Sequence, residues 1–369
     1  MIPVYQPSLI GNEKKYVNEC LDTSWISSKG KFVSQFEENF SQYVGSKYAV
    51  SVSNGTVALH LALLALGISS SDEVIVPTLT YIASVNAISY VGAQPIFVDS
   101  LESTWQIDSN DLERRITPKT RAIMVVHLYG CACDMDKILS IAEKYNLLVI
   151  EDCAEALGTF YKGKHVGLFG NISTFSFFGN KTITTGEGGM VITNDPILSD
   201  RAVHFKGQGL VANREYWHDV IGYNYRMTNI CAAIGLAQLE RVEEILIKKR
   251  KIAEFYRKNL EGLPLNFHKE PDDVIHSYWM CTISLEDSNK RDLLRKHLLE
   301  NGVETRPTFY PVHTMPMYST HPQIFTVAEK IGRSGINLPS WPDLTQKQLT
   351  LIVSEIKSFF KVSKNKKIL

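Results

Sequence analysis

Neither sign of charge prevails in this sequence: 39 Lys and Arg stand against 39 Asp and Glu among 369 residues. A chain with no basic excess lacks the field that nucleic-acid binding draws on, so no nucleic acid is expected among its partners. A single phosphate held by backbone amides stays open, because that needs no net charge. Cysteine is scarce: Cys20, Cys131, Cys133, Cys153, Cys231 and Cys281 are spread along the chain with no C-x-x-C pair. That density excludes a disulfide-built scaffold. Around His127, Cys131 and Cys133 the spacing matches no common zinc pattern and a fourth ligand is missing, so no metal is expected. Long apolar runs are missing too, since TVALHLALLALGI is too short to span a bilayer and carries His60. The opening MIPVYQPSLIGNEKK has no basic-then-apolar signal pattern. We therefore expect a cytoplasmic protein with no membrane partner. Internal repeats, low-complexity tracts, G-x-G-x-x-G and G-K-[ST] are absent as well, which leaves no sign of a dinucleotide or P-loop site.

What is present is apolar surface in a regular order. With 44% hydrophobic residues, the chain can bury a substantial core. The runs KYAVSVS, EVIVP, QPIFVD, AIMVVHL, LLVIED, STFSFF and GGMVIT alternate with helical patterns such as MDKILSIAEKYN. Such alternation predicts an α/β fold with a mostly parallel sheet covered on both faces. The last two runs are joined by a loop too short for a helical crossover, so that pair is expected to be antiparallel. One long helical pattern follows, from Asn229 to Leu263, stopped by Gly262 and Pro264. Beyond it, SYWMCTISL, RDLLRKHLLENGV and TQKQLTLIVSEIKSFFK predict a smaller α+β domain. We expect a large domain over residues 1–245 and a small one over 246–369.

Four features carry chemistry. Ser53-Asn54-Gly55-Thr56 lies between a strand and a helix, where Gly55 lets backbone approach an anion and Thr56 can add a hydroxyl. An ordinary Ser/Asn helix cap is the alternative. Glu151 and Asp152 end an apolar strand, and the carboxyl ends of strands are where doubly wound sheets bind ligands. Asp152 can pair there with a cationic ring nitrogen, or it can cap the next helix. Lys181 sits between two apolar segments, with Ser176 before it and Gly186, Gly188 and Gly189 after it. A desolvated lysine has a lowered pKa and becomes a usable nucleophile, whereas a loop lysine usually reaches solvent. Asn224 and Arg226 precede a helix of small residues suited to close packing, within the chain or across a dimer, and Thr228 or Asn229 can cap it. Tyr81, at a strand end, can stack on a flat ring or fill the core.

In this order the motifs WISSKG, SVSNGTVAL, VPTLTYIAS, VHLYG, IEDCAEALG, STFSFFGNKTITTGEGGM, GYNYRMTNICAAIGLAQL and TRPTFYPVHTMPMY resemble the DegT/DnrJ/EryC1/StrS sugar aminotransferases over nearly the whole chain. The resemblance implies fold type I, as in aspartate aminotransferase, with pyridoxal 5'-phosphate as cofactor. By the same resemblance, Lys181 takes the place of the Schiff-base lysine and Asp152 that of the acid beside the pyridine nitrogen. Gly55, Thr56 and Ser176 match phosphate ligands, and Asn224 an asparagine reaching the phosphate from a neighbouring subunit. Tyr81 matches the ring-stacking aromatic. Glu155 stands near the ring hydroxyl, where many relatives have glutamine or histidine. Arg306 and His313 fall in a small-domain loop expected to close on the site, with His313 touching substrate, and residues 1–30 are expected to contribute to it. The wording of FFGNKTITTGEGGMVIT and FKGQGL looks most like family members that aminate carbon 4 of GDP-4-keto-6-deoxy-D-mannose with L-glutamate. A nucleotide-linked 4-keto-6-deoxy sugar and a homodimer or tetramer are therefore implied. The alternatives are a UDP- or dTDP-linked keto-sugar, or a non-catalytic regulator that binds the cofactor. A dehydrating branch carries histidine in place of this lysine, and Lys181 argues against it.

Overall fold

The apolar runs become a seven-stranded sheet in a computed structural model that describes residues 1–319 and 323–365. Numbered along the chain and given in spatial order, its strands are β1 (Tyr48–Val52), β9 (Gly189–Thr193), β8 (Ile172–Ser176), β5 (Leu148–Asp152), β4 (Thr120–Val126), β2 (Glu73–Pro77) and β3 (Gln94–Val98). Strands β3, β2, β4, β5 and β8 pair in parallel. Strand β9 runs antiparallel to both β8 and β1, as the short connection required. The fold is α/β with a mostly parallel central sheet. Because β9 alone reverses, its first residue, Gly189, lies opposite the last residues of β1 and β8, Val52 and Ser176.

Alternation along the strands sends successive side chains to opposite faces. Ile123, Val125 and Val149 join one core with residues of the helices Lys31–Val44, Met135–Tyr145 and Asn229–Leu239. Ala122, Met124 and Ile150 join another with the helices Gly55–Leu66, Ile82–Tyr90 and Pro196–Lys206. Two smaller sheets complete the strands. A three-stranded one has the order β11 (Val274–Ile275), β6 (Phe160–Tyr161), β7 (Lys164–His165), and a four-stranded one the order β10 (Leu265–Asn266), β12 (Cys281–Leu285), β14 (Gly335–Leu338), β13 (Arg306–Pro307). The four-stranded sheet shares a third core with the helices Arg291–Glu300 and Gln346–Asn365, and Ile2 joins that core from the other end of the chain.

The long helical pattern proves to be two helices, Asn229–Leu239 and Val242–Asn259. No glycine or proline breaks them. Instead Asn12 Nδ2 and Tyr16 Oη donate to the carboxylate of Glu240 at 2.7 and 2.6 Å, tying the joint to the first helix, Glu13–Asp22. The second helix serves two cores, Val242, Ile245 and Leu246 in one and Ile252, Ala253 and Tyr256 in another. The boundary expected after residue 245 falls inside it. Thr228 caps the first helix by accepting from the Cys231 amide. The small residues of that helix are used within the chain. A Cβ on Gly235 would stand 2.7 Å from Phe36 Cζ and from Thr185 Cγ2. Among the described residues no helix is long and apolar enough to cross a membrane.

Gly235→Leu inserts a side chain where helix meets helix with no gap, and overpacking of this kind costs about 1–3 kcal/mol. A fall in melting temperature with unchanged far-UV circular dichroism is the expected result, measured by thermal unfolding.

Candidate active site

Strand direction assembles the site. Asp152 and Ser176 are the last residues of β5 and β8, Ser53 and Asn54 follow β1, and Tyr81 follows β2. All therefore meet along one edge of the sheet, the edge at which open α/β sheets bind ligands. Asn54 caps the helix Gly55–Leu66, its Oδ1 accepting from the Val57 amide at 3.0 Å. The cap and the anion cradle turn out to be compatible. The amides of Gly55 and Thr56 find no partner among the described residues and remain available to an anion at the positive end of the helix. A Cβ on Gly55 would lie 2.7 Å from Ser176 Cβ, so only glycine lets the serine and the helix terminus meet.

Lys181 is neither solvated nor fully paired. Its side chain is 12% exposed, and its Nζ stands 3.8 Å from Glu155 Oε1 and 4.0 Å from the centroid of the Trp279 ring. Trp279 also donates from Nε1 to the Asn180 carbonyl at 2.7 Å. Tyr5 Oη donates to the carbonyl of Lys181 itself. The loop is pinned internally by bonds from the Phe177 amide to Gly188 O and from the Thr185 amide to Phe177 O, at 2.8 and 2.9 Å.

Burial dominates the electrostatics. It pushes the Lys181 amine below the ordinary lysine value, while the charges of Glu155 and Asp152 pull it back up. An aromatic face returns about 0.5–2 kcal/mol to a nearby cation, whereas taking an ion out of water costs several, so desolvation wins. Burial raises Asp152 above the usual aspartate value, opposed first by the hydrogen bond from Ser84 Oγ and then by that from the Ala154 amide. Glu155 is pushed up to about 7 by burial, against the Lys181 charge and the Tyr129 amide that donates to its Oε2 at 2.7 Å. Three ionisable groups thus sit near neutrality or away from their ordinary values, as groups that move protons do.

Whether a ring-and-phosphate cofactor suits these residues can be judged from what they leave open. Thr174 is paired in register with Asp152, and its Oγ1 is buried without a hydrogen-bond partner. Two helix amides are free beside Ser176, and a buried carboxylate, Asp152, ends a strand at the same sheet edge. The Tyr81 ring is 55% exposed, and its centroid lies 5.6 Å from that of Phe309. An amine, a carboxylate, free helix amides and a serine hydroxyl at one sheet edge form a donor set that fits pyridoxal phosphate.

The other sequence-derived candidates lie elsewhere. Asn224 is exposed and its Oδ1 accepts from Arg226 Nε, with no hydrogen bond to Lys181, Asp152 or Ser176. Arg306 is exposed on β13 and pairs with Glu304. His313 is 7% exposed and turned inward: its Nδ1 is 2.7 Å from Thr78 Oγ1, and its ring packs against Phe325. That ring joins the loop after β2 to the C-terminal part of the chain and presents no open face to a substrate. Glu151, the neighbour of Asp152, faces the other side of the sheet and accepts from His127 and from the amides of Gly167, Phe169 and Gly170. Ser84, Tyr129 and Trp279 were not singled out from the sequence, because each supports a group remote from it along the chain, whereas Tyr5 lies in the 1–30 segment expected to contribute.

A family model described as the DegT/DnrJ/EryC1/StrS aminotransferase family matches residues 7–357. The chain is 63% identical over 359 residues to the GDP-perosamine synthase of Escherichia coli O157:H7, covering 97% of this chain and 98% of that one. It is 52% identical to the GDP-perosamine synthase of Vibrio cholerae, over 98% of this chain and 99% of that one. Among solved structures, an aminotransferase from Psychrobacter cryohalolentis superposes with a TM-score of 0.91 at 31% identity, covering 96% of this chain and 98% of the other. With a model match across nearly its whole length and full-length relatives at this identity, the chain belongs to the DegT/DnrJ/EryC1/StrS aminotransferase family.

Proposed function

We propose that the chain is a pyridoxal phosphate-dependent transaminase that moves the amino group of L-glutamate to carbon 4 of GDP-4-keto-6-deoxy-D-mannose, forming GDP-perosamine for a surface polysaccharide such as O-antigen. The observation that carries the chemistry is a buried amine, Lys181 Nζ, 3.8 Å from a buried carboxylate and at the same strand edge as Asp152. The choice of sugar is supported by the two perosamine synthases that match almost end to end. All six cysteines are free, which suits a reducing cytoplasm.

Pyridoxal phosphate, when bound, supplies an aldehyde for amine exchange and a ring that accepts electrons. The chain's own groups do the rest. The amides of Gly55 and Thr56, with Ser176 Oγ, hold the phosphate. Asp152, kept in place by Ser84 and the Ala154 amide, sets a carboxylate against the ring nitrogen. Tyr81 offers a face for stacking. Lys181 Nζ takes the proton leaving the α-carbon of glutamate, and in the second half-reaction delivers a proton to carbon 4 of the sugar. Its lowered proton affinity suits that exchange. Glu155 holds or yields a proton beside the same amine.

We assign the chain to a homodimer in which Asn224 acts in the partner's phosphate site. The support is the arm around it, on which Tyr216 and Ile221 are 92% and 87% exposed and Leu210 and Trp217 are also uncovered. Apolar side chains so exposed and so close together in sequence mark a contact surface.

Lys181→Ala is expected to abolish transamination and the visible absorbance of the holoenzyme, and retention of either would overturn the assignment. Asp152→Asn removes the charge opposite the ring nitrogen and is expected to lower kcat about 100-fold or more, as read in steady-state assays with glutamate. Incubation with GDP-, UDP- and dTDP-linked 4-keto-6-deoxy sugars should give an amino-sugar mass for the GDP substrate first, and exclusive turnover of UDP or dTDP sugars would shift the reading to the other nucleotides. Glu155 has a folded-state pKa raised to about 7. The stability linked to that proton is full below the ordinary glutamate value and is lost as pH rises through about 7. Glu155→Gln cannot ionise, so its melting temperature relative to wild type should rise between pH 5 and pH 8. A pH-independent difference would show that Glu155 does not titrate there.

A further inference from the structure

Among the described residues Lys249 is the most deeply buried lysine, with no exposed surface, in the middle of the helix Val242–Asn259. Among the described residues it has no carboxylate within ion-pair distance. Its Nζ donates to the carbonyls of Ser340 and Trp279, at 2.8 and 3.1 Å, and lies 5.2 Å from the centroid of the Tyr5 ring. Burial lowers its pKa to about 8. Two carbonyl dipoles and one aromatic face are modest compensation for a buried cation, and an apolar side chain of similar volume would usually serve stability as well or better. A lysine here therefore calls for a use other than stability.

Its neighbours supply that use. The two residues Lys249 meets here, Trp279 through its carbonyl and Tyr5 through its ring, are the two that grip the Lys181 segment. Trp279 presents its ring to Lys181 Nζ at 4.0 Å and its Nε1 to the Asn180 carbonyl at 2.7 Å. Tyr5 donates its hydroxyl to the Lys181 carbonyl. Trp279 also stacks nearly parallel on Tyr129, whose amide holds Glu155. Backbone before the lysine, its own carbonyl, its amine and the carboxylate beside that amine are all reached through residues that meet at one buried ammonium.

We propose that Lys249 is a positioning residue for the Lys181 amine, fixing Trp279 and Tyr5 so that the amine is held over the indole face and beside Glu155. Lys249 touches neither cofactor nor substrate and acts only through these two residues. The inference rests on the reading of Lys181 as the reacting amine. The indole face favours the charged form of a nitrogen in front of it. Once Trp279 is no longer held, the nitrogen at residue 181 should lose its proton at lower pH.

The test is Lys249→Met in the holoenzyme, with Lys249→Gln as a second variant that keeps a donor for one carbonyl. Each is read by the pH midpoint of the visible-absorbance change, by kcat and KM for glutamate, and by melting temperature. Lys249→Met should keep the fold and shift the midpoint down by about half a unit or more, the size of a lost cation–π contact on the pH scale. It should lower kcat about tenfold and leave KM within about twofold. Lys249→Gln should fall between Met and wild type. Combining Lys249→Met with Trp279→Phe should cost less than the sum of the two single changes, because both act on one contact. A wild-type midpoint in a folded Lys249→Met or Lys249→Gln enzyme, whatever its melting temperature, would overturn the proposal, and so would strict additivity with Trp279→Phe. If wild-type holoenzyme shows no absorbance that depends on Lys181, the reading of Lys181 itself fails, which is a separate result.

Discussion

An amine taken out of water cannot keep its ordinary proton affinity, and this constraint organises the whole site. Lys181 is drawn down by burial, while Asp152 and Glu155 are drawn up by it. Lys181 supplies part of the compensation each carboxylate needs and receives some from both, while the Asp152 charge drives Glu155 up further. None is compensated completely: Glu155 is 3.8 Å from the amine, outside hydrogen-bond range. The arrangement is pre-organised but unfinished, the state expected of groups whose charges are to be stabilised only when a ligand arrives.

Holding three such groups together demands a rigid frame, and the reversed strand provides it. Because β9 runs against β8 and β1, the loop carrying Lys181 turns back at the same sheet edge where β5 ends in Asp152 and β1 opens into the Gly55 helix. A helical crossover would have carried the lysine away from that edge. Glycine at 55 then brings the helix terminus against Ser176. The lower surface comes from outside the large sheet altogether, from Trp279 at the approach to β12 and Tyr5 near the start of the chain.

Much of this was legible in local pattern. Apolar runs of strand length marked all seven strands of the large sheet, and loop length alone predicted the one antiparallel reversal. The Ser53–Thr56, Asp152 and Lys181 motifs were found because strand-to-loop transitions place chemistry at a sheet edge. Other features escaped for identifiable reasons. Periodicity ran unbroken from Asn229 to Leu263, and it does not report the joint at Glu240, whose carboxylate bonds the remote Asn12 and Tyr16. His313 was expected to touch substrate, and no local pattern reports that its ring is engaged by Thr78, 235 residues away in sequence.

By itself, the order of apolar runs, turn residues and polar motifs determined the fold class, the sheet edge that carries the candidate site and the identity of the candidate amine. These follow from strand direction and side-chain alternation, which are properties of short segments. Only the tertiary structure decided which groups tune that amine. Ser84, Tyr129, Trp279, Tyr5 and Lys249 act through distances and burial created when remote segments pack together, and desolvation, the largest electrostatic effect here, does not exist until they do.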